Sequence, residues 1–362
     1  MTTLSLRYLT FAIVLAGMLA GCSGWLGAKK PTPATAPSNS PTTSASPSGG
    51  ASPSTTGEIY VADASGAVYV YAASPSGKLD ETPLATISGA ATLFGSDSVP
   101  GGVAVDANGN IYVADDAATP SINVYAANPS GIVNDAPLAK ISGNNTDLSS
   151  PNGIALDASG KIYVADGPNM AIFVYAANPS GTLNEAPLAK ITGSLTDLNQ
   201  PQGVAVDASG KIYVTNINAS VTVYAANPNG TLNEAPLAEI DGANTQLSAP
   251  VGVTVDASGK IYVADESGSV LVYPANPSGT PLNEAPLAKI SGENTGLSEP
   301  VGIAVDANGN IYVTNIASDT SAVTSINVYA ANPSGTALNE APFATITGSN
   351  TDLSVPIGIA IH

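Results

Sequence analysis

From residue 58 onward the apolar residues fall into runs of three to six, such as Ile154-Ala155-Leu156, Ile162-Tyr163-Val164-Ala165 and Ile172-Phe173-Val174-Tyr175. Gly, Pro, Asn and Asp fill the gaps. The runs are rich in Val, Ile and Tyr and lack the 3.6-residue stripe of an amphipathic helix, so they predict short strands and no helix of consequence. Runs such as Gly203-Val204-Ala205-Val206 and Ile212-Tyr213-Val214 are apolar on both faces. That pattern fits sheets sandwiched between neighbours. Between the first two strands of a unit, Asp157-Ala158-Ser159-Gly160 places Asp first and Gly fourth, as a type I turn prefers, and predicts a tight hairpin.

The pattern repeats. Prolines lead the units at Pro100, Pro151, Pro201, Pro250, Pro300 and Pro356, with spacings of 51, 50, 49, 50 and 56 residues. Each unit contains four strand candidates, the third and fourth parted by a polar stretch such as Asn178 to Ala186. The Ile-Tyr-Val strand begins at Ile59, Ile111, Ile162, Ile212, Ile261 and Ile311, yet no Pro-led strand precedes Ile59 and nothing follows Pro356 to Ile361. One blade is therefore split between the two ends. The expected fold is all-β, a six-bladed β-propeller of four-stranded antiparallel blades, closed when the last strand joins the sheet begun at Glu58. The unit seen from Pro300 to Asn315, shared by six copies, resembles the NHL repeat. That resemblance implies a six-bladed propeller and leaves activity open, because relatives include protein binders, RNA binders, hydrolases and lyases.

The amino terminus differs in kind. Arg7 precedes an apolar run from Tyr8 to Ala20 that is too short to span a bilayer and reads as the core of a signal peptide, residues 1–21. Leu19-Ala20-Gly21-Cys22 resembles a lipobox, which implies an acylated Cys22 as the mature first residue. Ser23 resembles the outer-membrane choice in Gram-negative hosts, so the expected location is the cell envelope, lipid-anchored. Residues 22–57, nearly all Pro, Ser, Thr, Ala and Gly, read as a tether that cannot bury a core, ahead of the propeller at 58–362. Trp25 and Leu26 read equally as interfacial anchors or as plain tether.

Charge sets limits on partners. All 28 acids lie beyond residue 57, where they meet seven lysines, leaving the body at −21. Such a surface repels nucleic acid and anionic lipid. With Cys22 its only cysteine, the chain has no disulfide framework, and His362 is its only histidine. No Ser-His-acid set or His-bound zinc site is available.

Carboxylates remain. One ring, Asp63, Asp115, Asp166, Asn216, Asp265 and Asn315, ends the Ile-Tyr-Val strands. Its aspartates Asp63, Asp115, Asp166 and Asp265 are candidate ligands for Ca²⁺ or Mg²⁺, but loop-capping is the favoured reading, because it explains why Asn serves as well as Asp. A second ring, Asp106, Asp157, Asp207, Asp256 and Asp306, belongs to the hairpin turns. The tyrosines, twelve of fourteen at two repeat positions, read as packing residues. Asymmetry marks the expected ligand face: Asn152 and Gln202 beside Asp115 and Asp166, near an insertion at Ile316 to Ser325. Two functional readings follow, with no catalytic residue or cofactor expected in the first. One is a binding or scaffolding module for a protein or glycan; the other is a divalent-metal hydrolase resembling a lactonase.

Overall fold

The structure, a computed structural model, describes residues 57–317 and 323–362, which fall within one compact unit. The expected signal peptide, Cys22 and the expected tether, apart from Gly57, lie outside the described residues, as does the middle of the Ile316 to Ser325 insertion.

The six sheets form a six-bladed propeller. Blade three shows the plan: Pro151–Leu156 innermost, then Ile162–Asp166, Ala171–Tyr175 and Ala189–Thr192, all antiparallel. Ring closure takes the expected form. Pro356–Ile361 pairs with Glu58–Asp63 as the inner strand of blade one, and the Glu58 and His362 main chains exchange hydrogen bonds of 2.8 and 3.0 Å.

Every sheet also holds one strand more than the four expected. A three- or four-residue strand from the polar stretch of the next blade lies parallel along its outer edge; Gly181–Leu183, for instance, crosses back to pair with Ala139–Ser142 of blade two. Asn184 fixes this crossing. Its Oδ1 accepts the Asn145 amide at 2.9 Å, while Gly143 holds φ +114° and has no room for a Cβ, which would stand 2.7 Å from the Asn184 side chain. Asn134, Asn233, Asn283 and Asn339 repeat the contact, and Asp80 makes it across the closing seam, accepting the Asn350 amide at 2.8 Å. Replacing Asn184 with Ala is expected to lower unfolding free energy by about 0.5–1.5 kcal/mol, the net value of one such bond. Urea denaturation checks this, and Asp80→Ala should match it.

No blade has a core of its own. Each apolar cluster draws on two neighbours, as where Tyr112, Ile122 and Val124 of blade two meet Ile162, Val164 and Phe173 of blade three. At the centre the inner strands touch backbone to backbone. A Cβ on Gly153 would lie 2.7 Å from the Gln202 carbonyl oxygen, and one on Gly302 only 2.2 Å from that of Ile357. The glycine in the Pro-x-Gly motif is thus required by close approach.

Candidate functional site

The first acidic ring is built into the loops that lead to the inner strands. Asp63, Asp115, Asp166 and Asp265 are at most 1% exposed. Asp166 Oδ2 accepts the Ser149 and Ser150 amides at 2.7 and 3.1 Å, and Asp265 Oδ2 accepts those of Ser248 and Ala249 at 2.8 and 3.1 Å. Asp63 does the same with Ser354 and Val355 at 2.9 and 3.0 Å, clamping the two ends of the ring. Asp115 binds the Ser98 hydroxyl at 2.6 Å and the Val99 amide at 3.0 Å. In blades four and six the same position is Asn. Asn216 Oδ1 accepts the Asn199 amide at 3.0 Å while its Nδ2 donates to Thr222 Oγ1 at 3.1 Å.

As a metal cradle the ring does not fit. Each carboxylate is already engaged by main-chain or hydroxyl donors, and among the described residues no three His, Cys, Asp or Glu side chains converge on a point that a cation would occupy. A divalent ion needs several oxygens directed at one centre. Nor do Asp115 and Asp166 reach the ligand surface expected of them, since both lie beneath it.

The second ring forms turns. Gly160 N donates to the Asp157 carbonyl at 2.8 Å with Gly160 at φ +82°, and Asp157 Oδ1 gathers the Ser159 and Lys161 amides at 2.8 and 3.0 Å. Tyr163 Oη donates to Asp157 Oδ2 at 3.1 Å, so one tyrosine position locks the hairpins. The other reaches across loops: Tyr175 Oη donates to the Thr146 carbonyl at 2.6 Å.

Two aspartates of the first ring and three of the second are shifted in opposite directions. At Asp157, Asp207 and Asp256 burial pushes the pKa up, but hydrogen bonds from the serine, the lysine amide and the tyrosine outweigh it and hold the carboxyl below its ordinary value. At Asp115 and Asp166 burial prevails over the hydrogen bonds, and the pKa is raised. Lowered groups add stability that is present above the unfolded value and lost as pH falls through the folded one; raised groups carry a penalty that fades as pH falls through the folded value. Carbon-detected NMR titration should find the Asp157, Asp207 and Asp256 midpoints below 3.8 and those of Asp115 and Asp166 above it.

Over the first ring the inner-strand loops carry a polar arc. Asn152 and Gln202 flank Gly167, where a Cβ would stand 3.5 Å from Asn152 Nδ2 and 4.0 Å from Gln202 Nε2. Gln202 Nε2 donates to the Gln200 carbonyl at 3.0 Å, with Gln200 itself left-handed at φ +44°. Two further members escaped notice in the sequence. Ser150 Oγ donates to Asp116 Oδ2 at 2.7 Å, and burial raises the Asp116 pKa against that bond. The signal was present: Asp116 stands where other blades have Ala64, Gly167, Ile217, Glu266 and Ile316.

The sequence pattern of the SMP-30/Gluconolactonase/LRE-like region matches residues 32–238, more than half of the chain. The protein belongs to this family. The SMP-30/gluconolactonase/LRE-like match reaches as far as the fourth strand of blade four, Ala238–Ile240. No curated protein matches the chain significantly. Among solved structures, a chain from a nidogen/laminin complex superposes with a TM-score of 0.54 at 19% identity, covering 84% of this chain and 98% of that one. A protein of unknown function from Bacteroides caccae gives 0.56 at 10% identity, covering 85% and 99%. At such identities the likeness is one of fold.

Proposed function

We propose that this protein is a non-catalytic binding or scaffolding module of the cell envelope, an NHL-type propeller held by a lipid on Cys22 and gripping a protein or glycan partner with one face. The observation that carries the reading is the use of the first ring. Its carboxylates are committed to main-chain amides and a hydroxyl, so among the described residues recognition would fall to surface groups such as the arc of Asp116, Ser150, Asn152 and Gln202. Such an arc offers donors and acceptors suited to recognition and lacks a histidine base. The acidic body argues for a partner other than nucleic acid. Affinity capture from the native envelope tests the face: a partner held by the wild type should be lost with Asn152→Ala/Gln202→Ala, and retention by that variant overturns the assignment. The anchor has its own test, incorporation of an alkynyl fatty acid that Cys22→Ser should abolish.

Family membership favours one rival, a divalent-metal lactonase. Calorimetric titration with Ca²⁺ and Mg²⁺, paired with pH-stat hydrolysis of an aldonolactone, separates the two. Bound metal together with turnover would replace the binding reading.

A further inference from the structure

Six copies of one unit supply an internal control, because a place where other blades carry longer or charged side chains and the sixth carries short uncharged ones is conspicuous. Such a place lies between the loop entering a blade and the face of its third and fourth strands. In blade three it is filled by Phe173 and by the Lys190–Asp147 ion pair. The loop, third-strand and fourth-strand positions are Asp352, Tyr69 and Thr86 in blade one, and Leu93, Asn123 and Lys140 in blade two. They are Asp197, Thr222 and Glu239 in blade four, and Gln246, Leu271 and Lys289 in blade five. Blade six has Gly296, Asn327 and Thr345, and no long side chain among them.

The result is a groove of about 510 Å³, within the range that small-molecule sites occupy. Its floor is polar and uncharged. Ser325, Asn327 and Thr347 are 2–3% exposed, Asn327 Nδ2 donates to the Gly296 carbonyl at 3.1 Å, and Thr347 Oγ1 donates to the Thr324 carbonyl at 2.8 Å. Leu297 and Val323 supply an apolar wall, and Lys78 and Glu293 line it with opposite charges. No single sign is favoured. The Asn327 amide and Thr347 hydroxyl donors are spent on main-chain carbonyls, but the hydroxyl oxygens keep acceptor capacity, and with the apolar wall and the balanced charge of the rim this matches a neutral, hydroxyl-rich ring whose C–H face rests on Leu297 and Val323.

We propose that the blade-six groove binds a neutral saccharide of one or two rings, at a site distinct from the channel-mouth arc. The proposal stands whether or not that arc engages a partner. Gly296→Asp/Thr345→Lys writes the blade-three ion pair into blade six and fills the groove without deleting anything. Gly296 has φ +70° and Asp147 φ +62°, so this chain already carries Asp in that backbone state. A Cβ on Gly296 meets nothing nearer than Asn327 Nδ2 at 3.4 Å. Thr345→Lys alone is a milder second variant, since Lys140, Lys190 and Lys289 hold that position elsewhere.

Isotope-labelled full chain would be titrated with glucose, N-acetylglucosamine and maltose, and followed by the amide resonances of Gly296, Asn327 and Thr345. At least one sugar should give saturable shifts with a Kd on the order of millimolar, as expected of an open groove. Binding should weaken at least tenfold in both variants, each still melting cooperatively; the strain of Asp at φ +70° confines any fall in melting temperature to the double variant. No saturable shift with any of the three sugars overturns the proposal. So does undiminished binding by either variant, or binding confined to the charged analogues glucosamine and gluconate.

Discussion

Removal of Pro356–His362 is expected to abolish the cooperative unfolding transition of the whole domain rather than trim its edge. The deleted strand pairs with Glu58–Asp63 and packs between the inner strands of blades two and six. Its loss strips Ile359, 7% exposed, from the blade-six to blade-one cluster, and leaves Asp63 without the Ser354 and Val355 amides only if those loop residues also come free. Truncating one buried Ile to Ala costs about 2–5 kcal/mol. Here three isoleucines, an inner-strand ladder and a seam are lost together, which approaches the entire stability of an ordinary domain. Circular dichroism melts and small-angle scattering check the result; a truncated chain that melts sharply and keeps the wild-type radius contradicts it.

Asp166→Ala should cost about 1–3 kcal/mol. It leaves the Ser149 and Ser150 amides without their acceptor, and an orphaned donor costs roughly that amount. Relief of the buried charge, whose pKa is raised by burial, offsets part of the loss. Asp166→Asn should fall between wild type and Ala, and short of wild type for a stated reason. In blade four Asn216 Nδ2 finds Thr222 Oγ1, whereas blade three has Phe173 at that position. Guanidinium denaturation gives the ranking. If instead both variants equal or exceed wild type, the carboxylate is no cap, and the metal reading regains ground.

How far the sequence carries can be judged residue by residue. The six Ile-Tyr-Val strands and the unpaired Pro356 to Ile361 segment foretold ring closure, because period and leftover edge are one-dimensional facts. The hairpin aspartates were legible too, since Asp and Gly three residues apart specify a turn locally. Gly181–Leu183 was not. Three residues in a polar stretch carry no alternation, and their partner, Ala139–Ser142, lies in another blade. The blade-six groove was hidden for a different reason: Gly296 and Thr345 are unremarkable alone, and the vacancy emerges only when the loop and strand positions are brought together in space. Placing Asp115 and Asp166 on the ligand face took strand-end position for exposure; both are buried, while Asp116, one residue on, is half-buried.

Pinning the first strand on both sides has a mechanical consequence. Tension entering ahead of Gly57 and resisted at the far face runs along Glu58–Asp63, which is laddered to Ala67–Ala72 on one flank and Pro356–Ile361 on the other. Pulled lengthwise, two sets of bonds bear the load simultaneously instead of parting one after another. A body dragged by its leading end would therefore grip its own seam at the point where the pull arrives.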